Sequence, residues 1–317
     1  MSEQPDSMTA SRVIRFVVVG LALVASLVYV AVTFDWPAIG AALAGADVGL
    51  LAIGGSSTIV AYFVVRTLRW AVVLRGAGVR IPFLSLYRWS VFSQAAIVVT
   101  PFQSGEVLKI EMLKAAGFAT RMEGYGGLVV ERVADVSVLV SIAALAVLWN
   151  LDRLLDVSPG VWFVAVLGVV AAFFLLVAAG KRFGVVAELV RSASGVARQP
   201  GILAGVVGLT FVAWSIVAVG WLLCFRSVGV VVSIGEALGL VAAVTLVNVA
   251  SLVPGAVGIS EVGISACLVR LGHAPALAQT GAMVIRAYAL EVLVLAALHA
   301  LAWRVLDGRS GSKDAAT

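Results

Sequence analysis

Apolar residues run along the chain in long, nearly unbroken stretches, separated by short polar or Pro/Gly-rich breaks. Ten such stretches can be marked, at 13–34, 48–75, 84–99, 105–116, 126–149, 161–180, 202–225, 236–252, 258–271 and 278–304. Strands of a membrane barrel alternate apolar and polar positions over about ten residues. The runs here are continuous, so they predict helices. At 1.5 Å per residue, about 20 apolar residues cross the bilayer core. Six stretches reach that length: 13–34, 48–75, 126–149, 161–180, 202–225 and 278–304. The other four are short and come in two pairs. Each pair is split by a helix-breaking element, Thr100-Pro101-Phe102-Gln103-Ser104-Gly105 in one and Val253-Pro254-Gly255-Ala256-Val257-Gly258 in the other. Two half-length helices around such a break predict a re-entrant hairpin that dips into the bilayer and returns.

Composition fixes the solvent. The chain has 317 residues, 62% apolar and 12% charged, against about 25% charged for a soluble domain. Only lipid accommodates that surface, and in lipid the backbone must satisfy its own hydrogen bonds. The net charge of +5 does not point to nucleic acid, because the basic residues lie between apolar runs, as cytoplasmic loops of membrane proteins do. With Arg12 and Arg15 in the cytoplasm, the 35–47 loop falls outside and holds Asp35 and Asp47 without Lys or Arg. Arg75, Arg80, Arg88, Lys114, Arg121, Lys181, Arg182, Arg191, Arg198, Arg309 and Lys313 then stay inside, provided 84–116 returns to its starting side. The 150–160 loop, with Asp152, Arg153 and Asp156, falls outside, and 181–200 reads as a short amphipathic surface helix. The first run is too long for a signal peptide, whose apolar region spans about 7–15 residues. The expected layout is a cytoplasmic segment 1–12, one transmembrane domain 13–305 and a cytoplasmic tail 306–317.

The order span, span, hairpin, span occurs twice, in halves 13–150 and 161–305. Glu106 and Glu261, Gly117 and Gly272, and Gly126 and Gly281 all match at an offset of 155 (261−106, 272−117, 281−126). Three full spans per half would turn the second half upside down. The prediction is an all-α membrane bundle with six spans, two hairpins and an inverted repeat, an architecture associated with secondary transporters.

Ionisable groups in membrane helices are costly and normally functional. Glu131, Arg132 and Asp135 lie in one span, Asp135 about ten residues in. Arg132 and Asp135 can pair at i,i+3, while Glu131 and Asp135 share a face. A structural ion pair between helices and a functional site are both open readings there. Glu106 begins a half-helix after Gly105, where it either caps free N–H groups or helps present them to an anionic headgroup. Pro254, Gly258 and Glu261 form the corresponding element, beside Pro101 in the first. Arg286 and Glu291 are five apart, on different helix faces, so each needs a partner elsewhere, and Glu261 is the candidate for Arg286. Arg66 and Arg69 read either as snorkelling residues at a span end or as phosphate ligands. Cys224 and Cys267 read as small core residues, and His273 and His299 are isolated, so no metal site is expected. Without a Walker or Rossmann pattern or a hydroxyl–histidine pair, neither cofactor nor catalytic residue is expected.

The motifs Thr100-Pro101-Phe102-Gln103-Ser104-Gly105-Glu106, Glu131-Arg132-Val133-Ala134-Asp135, Val253 to Glu261 and Arg66-Thr67-Leu68-Arg69-Trp70 together resemble the transmembrane region of lysylphosphatidylglycerol synthases and their stand-alone, flippase-like relatives. The resemblance covers about 13–305. It implies moving or handling a lipid or lipid-linked intermediate across the bacterial cytoplasmic membrane. Only 14 residues follow Trp303, which leaves no room for the aminoacyl-transfer domain of the synthases, so lysyl transfer is not expected. A membrane-embedded enzyme or accessory subunit of lipid or glycolipid biosynthesis, and an ion-coupled small-solute carrier, are the alternatives.

Overall fold

The computed structural model describes residues 6–148, 184–249, 251 and 253–314. The 161–180 run and the 150–160 loop lie outside them. The described residues form helices and turns without a strand. The first run is α1 (Asp6–Thr33), followed by α2 (Trp36–Ala44) after a 77° bend. The expected outer loop 35–47 is thus partly helical. Asp35 accepts from the Ala38 N–H at 3.1 Å and Pro37 follows, a helix-start signal that the apolar pattern had masked.

A π-helical turn (Leu50–Gly54) leads into α3 (Gly55–Gly76). Next come α4 (Phe83–Val99), a 3-10 turn (Pro101–Glu106), α5 (Val107–Ala115) and α6 (Arg121–Leu148). After the undescribed stretch follow α7 (Gly184–Ala197), α8 (Pro200–Ser227), α9 (Ile234–Val249), a 3-10 turn (Pro254–Ala256), α10 (Ile259–Arg270) and α11 (Pro275–Asp314). Among the described residues, three helices are long and apolar enough to cross a membrane, Leu50–Gly76, Pro200–Ser227 and Pro275–Leu306, or four where the bent α1–α2 pair counts as one span. At 28 residues, α6 is about 42 Å long, yet its charged residues keep it outside that apolar set. It starts at Arg121, ahead of the expected 126, because Thr120 and Glu123 form a reciprocal cap (2.7 and 3.3 Å). The surface helix expected at 181–200 is α7, which buries Ala193 and Val196 against Val73, Val130 and Val206.

In both short pairs the two helices pack against each other across the break. In the first, the returning arm lies so close to α4 that a Cβ on Gly105 would sit 2.4 Å from the Ala96 and Ile97 backbone. The Gly105 N–H donates to Thr100 Oγ1 (2.9 Å) and the Ser93 hydroxyl to the Gly105 C=O (3.2 Å). In the second, Gly258 has φ +82°, and a Cβ there would meet Ser26 of α1 at 2.4 Å. The two tips touch: a Cβ on Gly255 would lie 2.5 Å from the Val98 C=O at the end of α4. The arms also end alike. Gly117 and Gly272 both have positive φ, and Phe118 N–H→Leu113 O (3.3 Å) has its counterpart, 155 positions on, in His273 N–H→Leu268 O (3.1 Å).

The core lies where α3 packs along α8, with Ile59, Phe63, Trp221, Cys224 and Phe225 enclosed, and α11 adds Ala278, Ala282 and Ile285. The outward residues are apolar: Val32 is 79% exposed, Leu21 64% and Leu301 61%, whereas Arg69 and Glu131 are 0% exposed. Water would reverse that distribution; a hydrocarbon solvent accounts for it.

Candidate functional site

Arg66 and Arg69 sit three residues apart in α3 and point inward from one helix face. They meet Glu106 and Lys109 from the first hairpin, and Glu131, Arg132 and Asp135 from α6. Arg66 pairs with Glu106 and lies 3.4 Å from Asp135 Oδ2. Arg69 pairs with Glu131 (3.1 Å) and Asp135 (2.5 Å), and donates to Thr210 Oγ1 of α8 (2.9 Å). Lys109 pairs with Glu131 and stands 3.4 Å from Glu106 Oε2 and 5.0 Å above the Trp70 ring. Arg132 holds Glu106 (2.5 Å) and Asp135 (2.8 Å). The Trp214 indole donates to Asp135 Oδ1 at 3.2 Å, and with its amide oriented to satisfy both groups, Gln94 of α4 accepts from Arg66 Nε and Nη2 at 3.1 and 3.2 Å.

Four cations, Arg66, Arg69, Lys109 and Arg132, therefore face three anions, Glu106, Glu131 and Asp135, for a net +1 (4−3). Signs alternate around the cluster. An isolated buried charge is very costly, and only such pairing with good hydrogen bonds makes burial tolerable.

Several sequence readings change here. Arg66 and Arg69 do not snorkel; they are 4% and 0% exposed and ion-paired. Glu106 makes no capping hydrogen bond at α5. Its carboxylate turns sideways to Arg66 and Arg132, since two guanidinium groups outweigh a helix-end interaction of about 0.3–1 kcal/mol. Arg132 and Asp135 pair as their i,i+3 spacing suggests. The sequence reading missed Lys109, Gln94, Thr210 and Trp214. For Lys109 a signal existed, its i,i+3 spacing from Glu106 in an otherwise apolar arm; the uncharged three had none.

The second tip carries a smaller polar group. Arg286 of α11 pairs with Glu261 of α10, as the spacing argument anticipated, and donates to the Gly255 and Ala256 carbonyls at 3.0 and 3.4 Å. The other Glu261 oxygen accepts from the Gly258 N–H at 2.7 Å. Glu291 stands apart from Arg286 and takes the Ser56 hydroxyl instead. Pro101 opens the first turn and Pro254 the second. Both polar groups border α4, where Gln94 receives Arg66 and Val98, one turn on, abuts Gly255.

Two adjoining cavities open at the touching tips. One, of about 140 Å³, is lined by Thr100, Asn248, Gly255 and Arg286 among others. The other, of about 230 Å³, shares Val98, Asn248, Gly255 and Arg286, and has apolar walls that include Ile59, Trp221, Val244 and Ile285.

A lipid-facing apolar exterior, several membrane-length helices and an ion-paired interior define a multi-pass helical membrane protein. The chain belongs to the lysylphosphatidylglycerol synthase TM region family, whose description fits residues 17–297 and so takes in every site residue named above. No curated protein and no solved structure matches it.

Proposed function

We propose that this protein is a flippase-like membrane protein that translocates or handles a lipid or lipid-linked intermediate across the bacterial cytoplasmic membrane, with both termini in the cytoplasm. In this reading the hairpins are re-entrant, enter from opposite faces as parts of an inverted repeat, and bring their tips together near the midplane. The observation that carries it is the pair of cavities at the tips, with hydrocarbon walls and a guanidinium on the floor. Arg286 has five N–H donors; three bonds are spent on Glu261, Gly255 and Ala256, which leaves donors for an anionic headgroup while the tails stay in lipid. The combined space suits a headgroup rather than a whole lipid, since pockets that engulf small molecules hold about 300–1,000 Å³. The net +1 cluster behind the first tip adds long-range attraction for the same charge.

The test uses purified protein in liposomes that contain a fluorescent phosphatidylglycerol, with a membrane-impermeant quencher outside. Translocation lets the quencher bleach well over half of the label, and Arg286→Gln or Glu261→Gln slows the excess. Bleaching that stops at the outer leaflet in the wild type ends the flippase reading. Chemical conversion of a candidate lipid in detergent, where no two leaflets exist, would favour the membrane-enzyme alternative. Opposed hairpins are tested separately: single cysteines at Thr100 and Pro254, in a background without Cys224 and Cys267, should be reached by thiol reagents from opposite sides. Ready labelling of both from one side overturns the inverted arrangement.

A further inference from the structure

Glu291 lies near the middle of α11, about 24 Å from Pro275 and about 22 Å from Leu306 along the helix. The fully buried carboxylates, Glu106, Glu131, Asp135 and Glu261, each have an arginine or lysine partner, whereas Glu291 is half-buried. Glu291 has no cation partner among the described residues. Its Oε1 takes the Ser56 hydroxyl, and its Oε2 lies over Gly55, where a Cβ would sit 2.8 Å away. One turn back, the Tyr288 hydroxyl meets Thr58 Oγ1 at 3.1 Å, and Thr58 donates to the Gly55 C=O at 2.8 Å. Gly220 of α8 makes room for both hydroxyls, since its Cβ would lie 2.4 Å from Tyr288 Oη. Tyr288 lines the larger cavity, together with Ala289 and Val292.

The titratable groups around the carboxylate are Tyr288 on its own helix, Tyr62 beside it on α3 and the Cys224 thiol of α8. None of them is a cation that could offset the carboxylate charge. The nearest guanidinium on α11, Arg286, is committed to Glu261 at the tip. A carboxylate at this depth with one hydroxyl donor and no fixed counter-charge reaches neutrality most simply by taking a proton. The pared-down Gly55 and Gly220 surfaces show space made for polar side chains, not for packing.

We propose that Glu291 is a proton-binding site beside the lipid cavity, loaded and unloaded as the cavity opens to one side or the other, so that proton movement drives lipid movement. The coupling half rests on the lipid-translocation reading; the proton-binding half stands without it. Protonation is read directly by infrared pH-difference spectra of the full chain in lipid nanodiscs. The wild type should gain a protonated-carboxyl band as pH falls, Glu291→Gln should lack it, and Glu291→Asp should keep it displaced. Ser56→Ala should displace the band's titration, whereas Ser57→Ala, whose hydroxyl bonds the Ile53 carbonyl instead, should not. Wild-type and Glu291→Gln spectra that superimpose overturn the proposal. So does a band that responds to sodium at fixed pH, since the carboxylate would then hold a metal cation. For coupling, labelled phosphatidylglycerol movement in proteoliposomes is compared with and without an imposed pH gradient. The wild-type ratio should depart from one and the Glu291→Gln ratio should fall to one; a ratio unchanged by the substitution refutes coupling. Wild-type liposomes without any lipid movement, alongside an intact infrared titration, defeat the lipid reading and leave the proton site standing.

Discussion

Arg69 is fully enclosed and holds Glu131, Asp135 and Thr210 at once, so Arg69→Met probes the cluster at its centre. Methionine roughly preserves the buried stem and adds no new charge. The cluster goes from four cations against three anions to three against three; Glu131 keeps the Lys109 cation, and Asp135 keeps Arg66, Arg132 and the Trp214 indole donor. Removing one partner of a buried ion pair costs about 3–5 kcal/mol. With those neighbours still in place the lower end applies, about 3 kcal/mol. For a chain of this size about 2 °C of midpoint accompanies each kcal/mol, which predicts a fall of roughly 6 °C. A thiol-reactive fluorogenic dye suits the measurement in a Cys267→Ser background, because Cys224 is fully buried and reacts only on unfolding. Adding Asp135→Leu to Arg69→Met should cost less than the sum of the two single changes, as expected for groups in direct contact. The surface pair Arg121–Glu111, with side chains 53% and 38% exposed, is the control, and Arg121→Ala should leave the midpoint in place. If Arg69→Met lowers the midpoint no more than Arg121→Ala does, or if the cycle is additive, the cluster does not hold these helices together.

Three more outcomes follow from geometry. Gly105→Ala forces a methyl group to 2.4 Å from the α4 backbone, which cannot step aside, so the hairpin should open and stability fall by about 1–3 kcal/mol or more, seen with the same dye. Gly220→Ala meets the hydroxyls of Tyr288 and Thr58 and the Tyr288 Cζ, side-chain ends rather than backbone; it should break their mutual hydrogen bond for about 1 kcal/mol and leave the fold intact by circular dichroism. In native detergent-solubilised protein, Cys267, which is half-buried, should react with a thiol reagent well before Cys224, and equal rates would place α8 wrongly.

The sequence by itself determined the solvent, the helical class and the break points. Continuous apolar runs require lipid and helices, and the clustered prolines and glycines at 101–105 and 254–258 break helices, because these are one-dimensional properties of composition and backbone. Local spacing also exposed the Arg132–Asp135 pair, and the shortage of nearby partners for Arg286 led to Glu261. Only tertiary structure decided what Arg66, Arg69 and Glu106 do. A sequence shows an arginine near a helix end and a carboxylate at a helix start; it does not show that α3, α5 and α6 converge and pair the two. Lys109 joins that centre from α5, Gln94 from α4, and Thr210 and Trp214 from α8, and Val98 meets Gly255 across more than 150 residues. Long-range pairing depends on how faces rotate toward one another, and no local pattern encodes it.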